Sequence, residues 1–178
     1  MSGSLRTLLS YQAWANLEFL DKLAGVDPLT HQAELAAALR LMNHCHVVAR
    51  IFQSHLTGKT HGYDADNTVE TPPLADLRAG MPETDQWYLD YIDRAGPGDL
   101  TTPIAFTFTD GDRGFMTGAE MITHVVTHGG YHRGEVGQIL KTLKVPLPWD
   151  TFAVYLHQAQ PSRRLQGVAP ARVSTPVP

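Results

Sequence analysis

At 178 residues and a formal net charge of -4, the chain has the size of one domain and lacks the cationic surplus used in phosphate-backbone binding, which excludes nucleic acid as an expected partner. A single cysteine, Cys45, excludes an intramolecular disulfide framework and fits a reducing compartment, its thiol reading as a small core residue. No apolar run approaches the roughly 20 residues of a membrane span and no signal-like apolar core opens the chain, so a soluble cytoplasmic protein with no membrane contact is expected.

Leu8, Tyr11, Trp14, Ala15, Phe19 and Leu23 recur at three and four residues, which predicts a first helix from Ser4 to about Gly25, stopped by Gly25 and Pro28. A second helix follows from about His31 to Thr57, strongly apolar between Leu35 and Val48, with Gly58 as its stop. Polar residues 59–71 form a loop. Pro72-Pro73 then opens a third helix carrying Leu74, Leu77, Met81, Trp87, Tyr88, Tyr91 and Ile92, which ends near Ala95-Gly96-Pro97.

Ile104, Phe106 and Phe108 alternate with small or polar residues and meet Asp110-Gly111 before Phe115, the pattern of a short two-strand hairpin. Such a hairpin is marginal alone and is expected to lie across the end of a helix pair. A fourth long helix runs from Thr117 or Gly118 to about Leu143, where Val145-Pro-Leu-Pro148 breaks it, and a short helix follows from Asp150 to about His157. Residues 161–178, rich in Pro, Ala and Ser, read as a disordered tail. Four long helices joined by moderate loops predict an all-α, antiparallel four-helix bundle over residues 1–160, with the hairpin and the last short helix attached to it.

The fourth helix repeats histidine every fourth residue, at His124, His128 and His132. With His128 placed at zero and steps of about 100°, Met121, Val125, His132, Val136, Ile139 and Leu143 fall within an arc of about 80°, so His128 and His132 are expected to point into the core. His124 lies about 40° outside that arc and about 12 Å along the axis from His132, too far to share one ion with it at a metal–nitrogen bond of about 2.1 Å.

On the second helix, His44 clusters with Ala37, Leu41, Val48, Ile51 and Phe52, whereas His46 points to the opposite side beside Met42, Arg50 and Gln53. Any one of these histidines alone reads as a hydrogen-bonded core residue. His44, His128 and His132 together, on apolar faces of two helices, read as a three-histidine site for a divalent transition metal with positions left open for water or substrate.

Glu135, about 20° from His128 and three residues after His132, is the candidate for a catalytic or supporting carboxylate. It could fix a ligand imidazole, act as a base, or pair with Arg133 or a neighbouring helix. His55, about 16 Å along the axis from His44, is too far to share that ion and keeps packing or second-site roles open. His31, His61 and His157 read as surface or loop residues. Gly129, Gly130, Gly134 and Gly137 each cost up to about 1 kcal/mol in a helix relative to Ala; Gly130 and Gly137, on the face away from the histidines, read either as the close approach of another helix, such as one from a second subunit, or as loose tolerance within a well-packed bundle. Tyr11, Trp14 and Tyr91 read as core aromatics, one of whose hydroxyls could reach the site.

Tyr11-Gln-Ala-Trp-Ala-Asn16, Asn43-His44 followed by Gly58, and His128-Gly-Gly-Tyr-His132-Arg-Gly134 together resemble the DinB/YfiT-like family, named after damage-inducible bacterial members. The resemblance covers roughly residues 5–157. It implies a four-helix bundle, often a homodimer, with a divalent ion such as Zn2+ or Ni2+ on three histidines that carry over as His44, His128 and His132. Family members commonly have Gln where this chain has Glu135, so no role for Glu135 carries over. Related branches are transferases and isomerases that use a low-molecular-weight thiol.

The expectation is a metal-dependent enzyme that activates a thiol or water against a small-molecule substrate, of thiol-transferase or hydrolase class. The alternatives are a non-catalytic metal-binding or stress-response protein with a structural or sensory ion, and a metal-free interaction bundle. The sequence places no cationic mouth that would hold a thiol cofactor.

Overall fold

A computed structural model describes residues 2–164. In chain order the elements are α1 (Ser2–Ala24), α2 (Gln32–Leu56), α3 (Leu74–Arg94), α4 (Pro97–Thr101), β1 (Pro103–Thr107), β2 (Arg113–Thr117), α5 (Gly118–Thr142) and α6 (Phe152–Ala159), followed by a 3-10 turn at Pro161–Arg163. The expectation of a mostly helical chain with one short antiparallel hairpin holds. No helix among the described residues is long and apolar enough to cross a membrane.

The helix ends have identifiable chemical causes. Gly58 adopts φ 64°, and the N–H groups of Gly58 and Lys59 donate to the carbonyls of His55 and Ser54 at 3.1 and 2.9 Å, the left-handed Schellman closure. Lys144 closes α5 the same way with φ 59°, its N–H donating to Lys141 and that of Val145 to Leu140, both at 3.0 Å. At the other end of α5, Thr117 Oγ1 accepts from Glu120 N–H at 3.2 Å while the Glu120 carboxylate accepts from Thr117 N–H at 2.7 Å, a reciprocal capping box.

Three segments differ from the sequence reading. The short helix α4 occupies residues assigned to no element, its start held by Gly96 N–H donating to Asp99 Oδ2 at 2.8 Å. Phe108 lies in the turn rather than in β1, because the register pairs Thr107 with Arg113 and leaves 108–112 to close the hairpin. Residues 161–178, expected as a disordered tail, begin with the 3-10 turn; those from 165 onward lie outside the described residues.

Helices α1 and α2 each pack against both α3 and α5. The apolar core falls into two parts. One gathers Leu5, Leu9, Phe52, Tyr88, Ile92, Met121, Ile122 and Val125, and receives Phe106 from the hairpin. The other gathers Phe19, Leu20, Leu23, Met42, Leu77, Met81, Val136 and Leu140. Between them, in helical position, lies a buried polar layer of Gln12, Asn16, Thr84, Asp85 and Arg133, and the histidine centre stands beside this layer along the pairing of α2 with α5.

Candidate metal centre

His44 comes from the middle of α2, and His128 and His132 stand one turn apart in the middle of α5, so the packing of these two helices brings the three rings together. Ring centroids are 4.8 Å apart for His44 and His128, 4.6 Å for His44 and His132, and 4.5 Å for His128 and His132. One nitrogen from each lies within 4.8 Å of the others. The Nε2 atoms of His44 and His128 are 3.0 Å apart. Two nitrogens bound at about 2.1 Å would be separated by about 3.0 Å for a 90° angle at the ion and about 3.4 Å for a tetrahedral one. Three neutral imidazoles in this arrangement fit a divalent transition ion.

The outer nitrogens of two rings are already engaged. His44 Nδ1 donates to the Asp66 carbonyl at 2.8 Å, and His132 Nδ1 donates to Glu135 Oε2 at 2.5 Å. Each bond sets the tautomer that leaves Nε2 as the free lone pair, the usual support of a metal-binding histidine. Burial, reinforced by neighbouring His44 and His132, pushes His128 down to about 3, which keeps it in the neutral form that a cation requires.

The expectation that these histidines point into a closed core needs correction. The side chains of His44 and His132 are each 16% exposed, because the rings meet where α2 and α5 face the loop of residues 59–71 rather than α1 and α3. Beside them opens a pocket of about 260 Å3, walled by Val48, Ile51, Phe52, His55, Phe108 and His124 among others. Its surface is mainly apolar.

Glu135 takes the supporting position, 44% exposed and bound to His132. It does not pair with Arg133, which is fully buried. Arg133 Nε donates to Asp150 Oδ2 at 2.8 Å, and its Nη1 donates to Asn16 Oδ1 at 3.0 Å. Asn16 in turn donates to both oxygens of Asp85, at 3.2 and 2.9 Å. Burial raises Asp85 to about 6, with Asn16 and Arg133 pulling it back. The Tyr11 hydroxyl donates to Asp150 at 2.5 Å, so it serves this buried network and not the histidine centre. Trp14 lies against Tyr11 and Tyr155, and Tyr91 stacks on Trp87.

The remaining histidines separate as their helical angles imply. His46 turns to α3, bonded to Thr84 Oγ1 at 3.0 Å, and burial, then Arg50, lowers it to about 4. His124 packs on Phe52 at 4.6 Å and adjoins His128 at 5.3 Å, a wall of the pocket. His55 meets Phe106 and His61, at 4.8 and 5.3 Å. Among Gly129, Gly130, Gly134 and Gly137, Gly129 is the constrained one: a Cβ there would lie 3.1 Å from both Arg133 Nη1 and Gln12 Oε1. Gly137 faces Phe19 of α1, and with Gly130 and Gly134 it lines a groove against residues 146–151.

Sequence reasoning missed the Asp66 carbonyl. The loop that carries it is tied to α2 by Asn43 Nδ2, which donates to Asn67 Oδ1 at 2.5 Å and Thr68 Oγ1 at 2.7 Å. The available signal was Asn43 itself, a polar residue on an apolar stretch immediately before His44.

The family model described as the DinB family matches residues 1–164 of the chain. No curated protein and no solved structure matches it.

Proposed function

The chain belongs to the DinB family, and from that premise we propose that it is a metal-dependent enzyme of thiol-transferase or hydrolase class, built on an antiparallel four-helix bundle. The observation that carries this reading is the convergence of three histidine nitrogens, two of them with their partner nitrogens already bound, beside an apolar-walled pocket. A Zn2+ or Ni2+ ion held there would supply Lewis acidity that lowers the pKa of a thiol or water and yields a nucleophile near neutral pH.

The protein's own residues do the rest. His44, His128 and His132 hold the ion. The Asp66 carbonyl and Glu135 keep two of those rings aimed, so Glu135 is a positioning residue in this reading. Phe52, Val48 and His124 exclude water from one side of the centre and offer apolar surface to a small-molecule substrate.

Cobalt substitution tests the proposal. The visible spectrum of Co2+-loaded protein should change on adding 2-mercaptoethanol, with a near-ultraviolet thiolate band, because open positions accept an exogenous ligand. A spectrum indifferent to thiol would favour a structural or sensory ion. A metal-free centre is the second reading, supported by the 3.0 Å contact in which His128 Nε2–H could donate to His44 Nε2; in that case Co2+ would not bind at all.

A further inference from the structure

The C-terminal turns of α2 and the loop after it build a second pocket, of about 270 Å3, whose lining includes Arg50, Lys59 and His61 and no carboxylate. In a chain of net charge -4, two fixed cations gathered in a concavity without a counter-ion stand out. Among the described residues neither Arg50 nor Lys59 has a carboxylate within ion-pair distance.

The pocket is held by fixed backbone. The Gly58 closure sets the direction of Lys59 through its N–H bond to Ser54, and together with the Gly58 N–H bond to His55 it occupies two helix-end carbonyls that would otherwise repel an anion. The Arg50 guanidinium lies 6.0 Å over the Tyr63 ring, which limits its freedom. Tyr63 N–H donates to His61 Nδ1 at 3.4 Å, so the neutral ring carries its proton on Nε2 as a donor. The hydroxyls of Ser54 and Thr57 donate back to α2 carbonyls and add no donor of their own.

We propose that Arg50, Lys59 and His61 form an oxyanion-binding pocket for the carboxylate or phosphate group of a small molecule. Planar guanidinium, mobile ammonium and an imidazole N–H are the donor types that such groups take. At the end of α2, His55 lines the pocket beside His44 and His128, its ring lies 5.3 Å from His61, and a further depression is shared by His55, Lys59 and His61.

The test is an amide chemical-shift titration of the full, EDTA-treated chain at pH 7, with inorganic phosphate and with succinate as separate probes. The expected result is saturable shifts centred on residues 50–63 with at least one probe, weakened tenfold or more in Arg50→Gln/Lys59→Gln and unchanged in His44→Ala; the probe that saturates tells phosphate from carboxylate. Shifts that fail to saturate with both probes, or that persist at parental affinity in the double variant, would overturn the proposal. Binding that survives His44→Ala while the parent takes up no metal would leave the oxyanion pocket standing and remove the metalloenzyme reading.

Discussion

Glu135 illustrates how one side chain can matter without touching substrate. Its carboxylate holds His132 Nδ1 at 2.5 Å, which aims the ring, and the loss of such outer partners typically costs 10–100-fold in metal affinity. Glu135→Ala should therefore weaken Zn2+ binding by roughly one to two orders of magnitude in a chelator competition, with little change in the melting temperature because the carboxylate is 44% exposed. Arg133 has the opposite profile. Removing a buried, paired charge strands its partners, so Arg133→Met should lower unfolding free energy by about 3 kcal/mol or more in urea titrations. His46 contributes a pH dependence. Its folded value, about 4, lies below the ordinary 6.5, so the unfolded chain binds the proton first, and the stability His46 contributes is full above about 6.5 and lost as pH falls toward 4. Metal-free protein should show a shallower loss over that window in His46→Gln than in the parent. The clustering of His44, His128 and His132 was legible because a 100° step sorts the faces of an apolar helix. Arg133 was not, because its partners Asn16 and Asp150 lie on other elements at separations that carry no periodic signal.

At the scale of elements, the long helices were legible from start to stop because their caps are chemical: Gly58, Pro73 and the Thr117–Glu120 box sit where the helices end or begin. Thr117→Ala should remove about 1 kcal/mol of stability, read from the denaturation midpoint. Gly118→Ala should be worse despite its better helix propensity, since a Cβ would stand 2.3 Å from the Asp99 carbonyl oxygen and force α4 away from α5; a loss of about 1–3 kcal/mol is expected. The short helix α4 escaped notice because five residues give no apolar period. The loop of residues 59–71 read as polar linker, yet it delivers the Asp66 carbonyl to His44 and Lys59 and His61 to the cationic pocket. Loop residues with no pattern of their own acquire roles only from the surface on which they fold.

Across the whole molecule, the histidine centre joins α2 to α5, through His44 and His128, which are 84 residues apart in the chain. An ion that binds only the folded arrangement adds its binding free energy to folding, about 2.7 kcal/mol at a free concentration one hundred times its dissociation constant. The core on either side is apolar and continuous within each half, so folding without the ion is expected, with metal raising stability rather than creating it. The most direct measurement is elemental analysis of protein purified without a histidine tag, beside His44→Ala and His128→Ala. The account requires about one Zn2+ or Ni2+ per chain in the parent and near none in either variant. A parent that is metal-free as purified and takes up neither ion when it is added would contradict it.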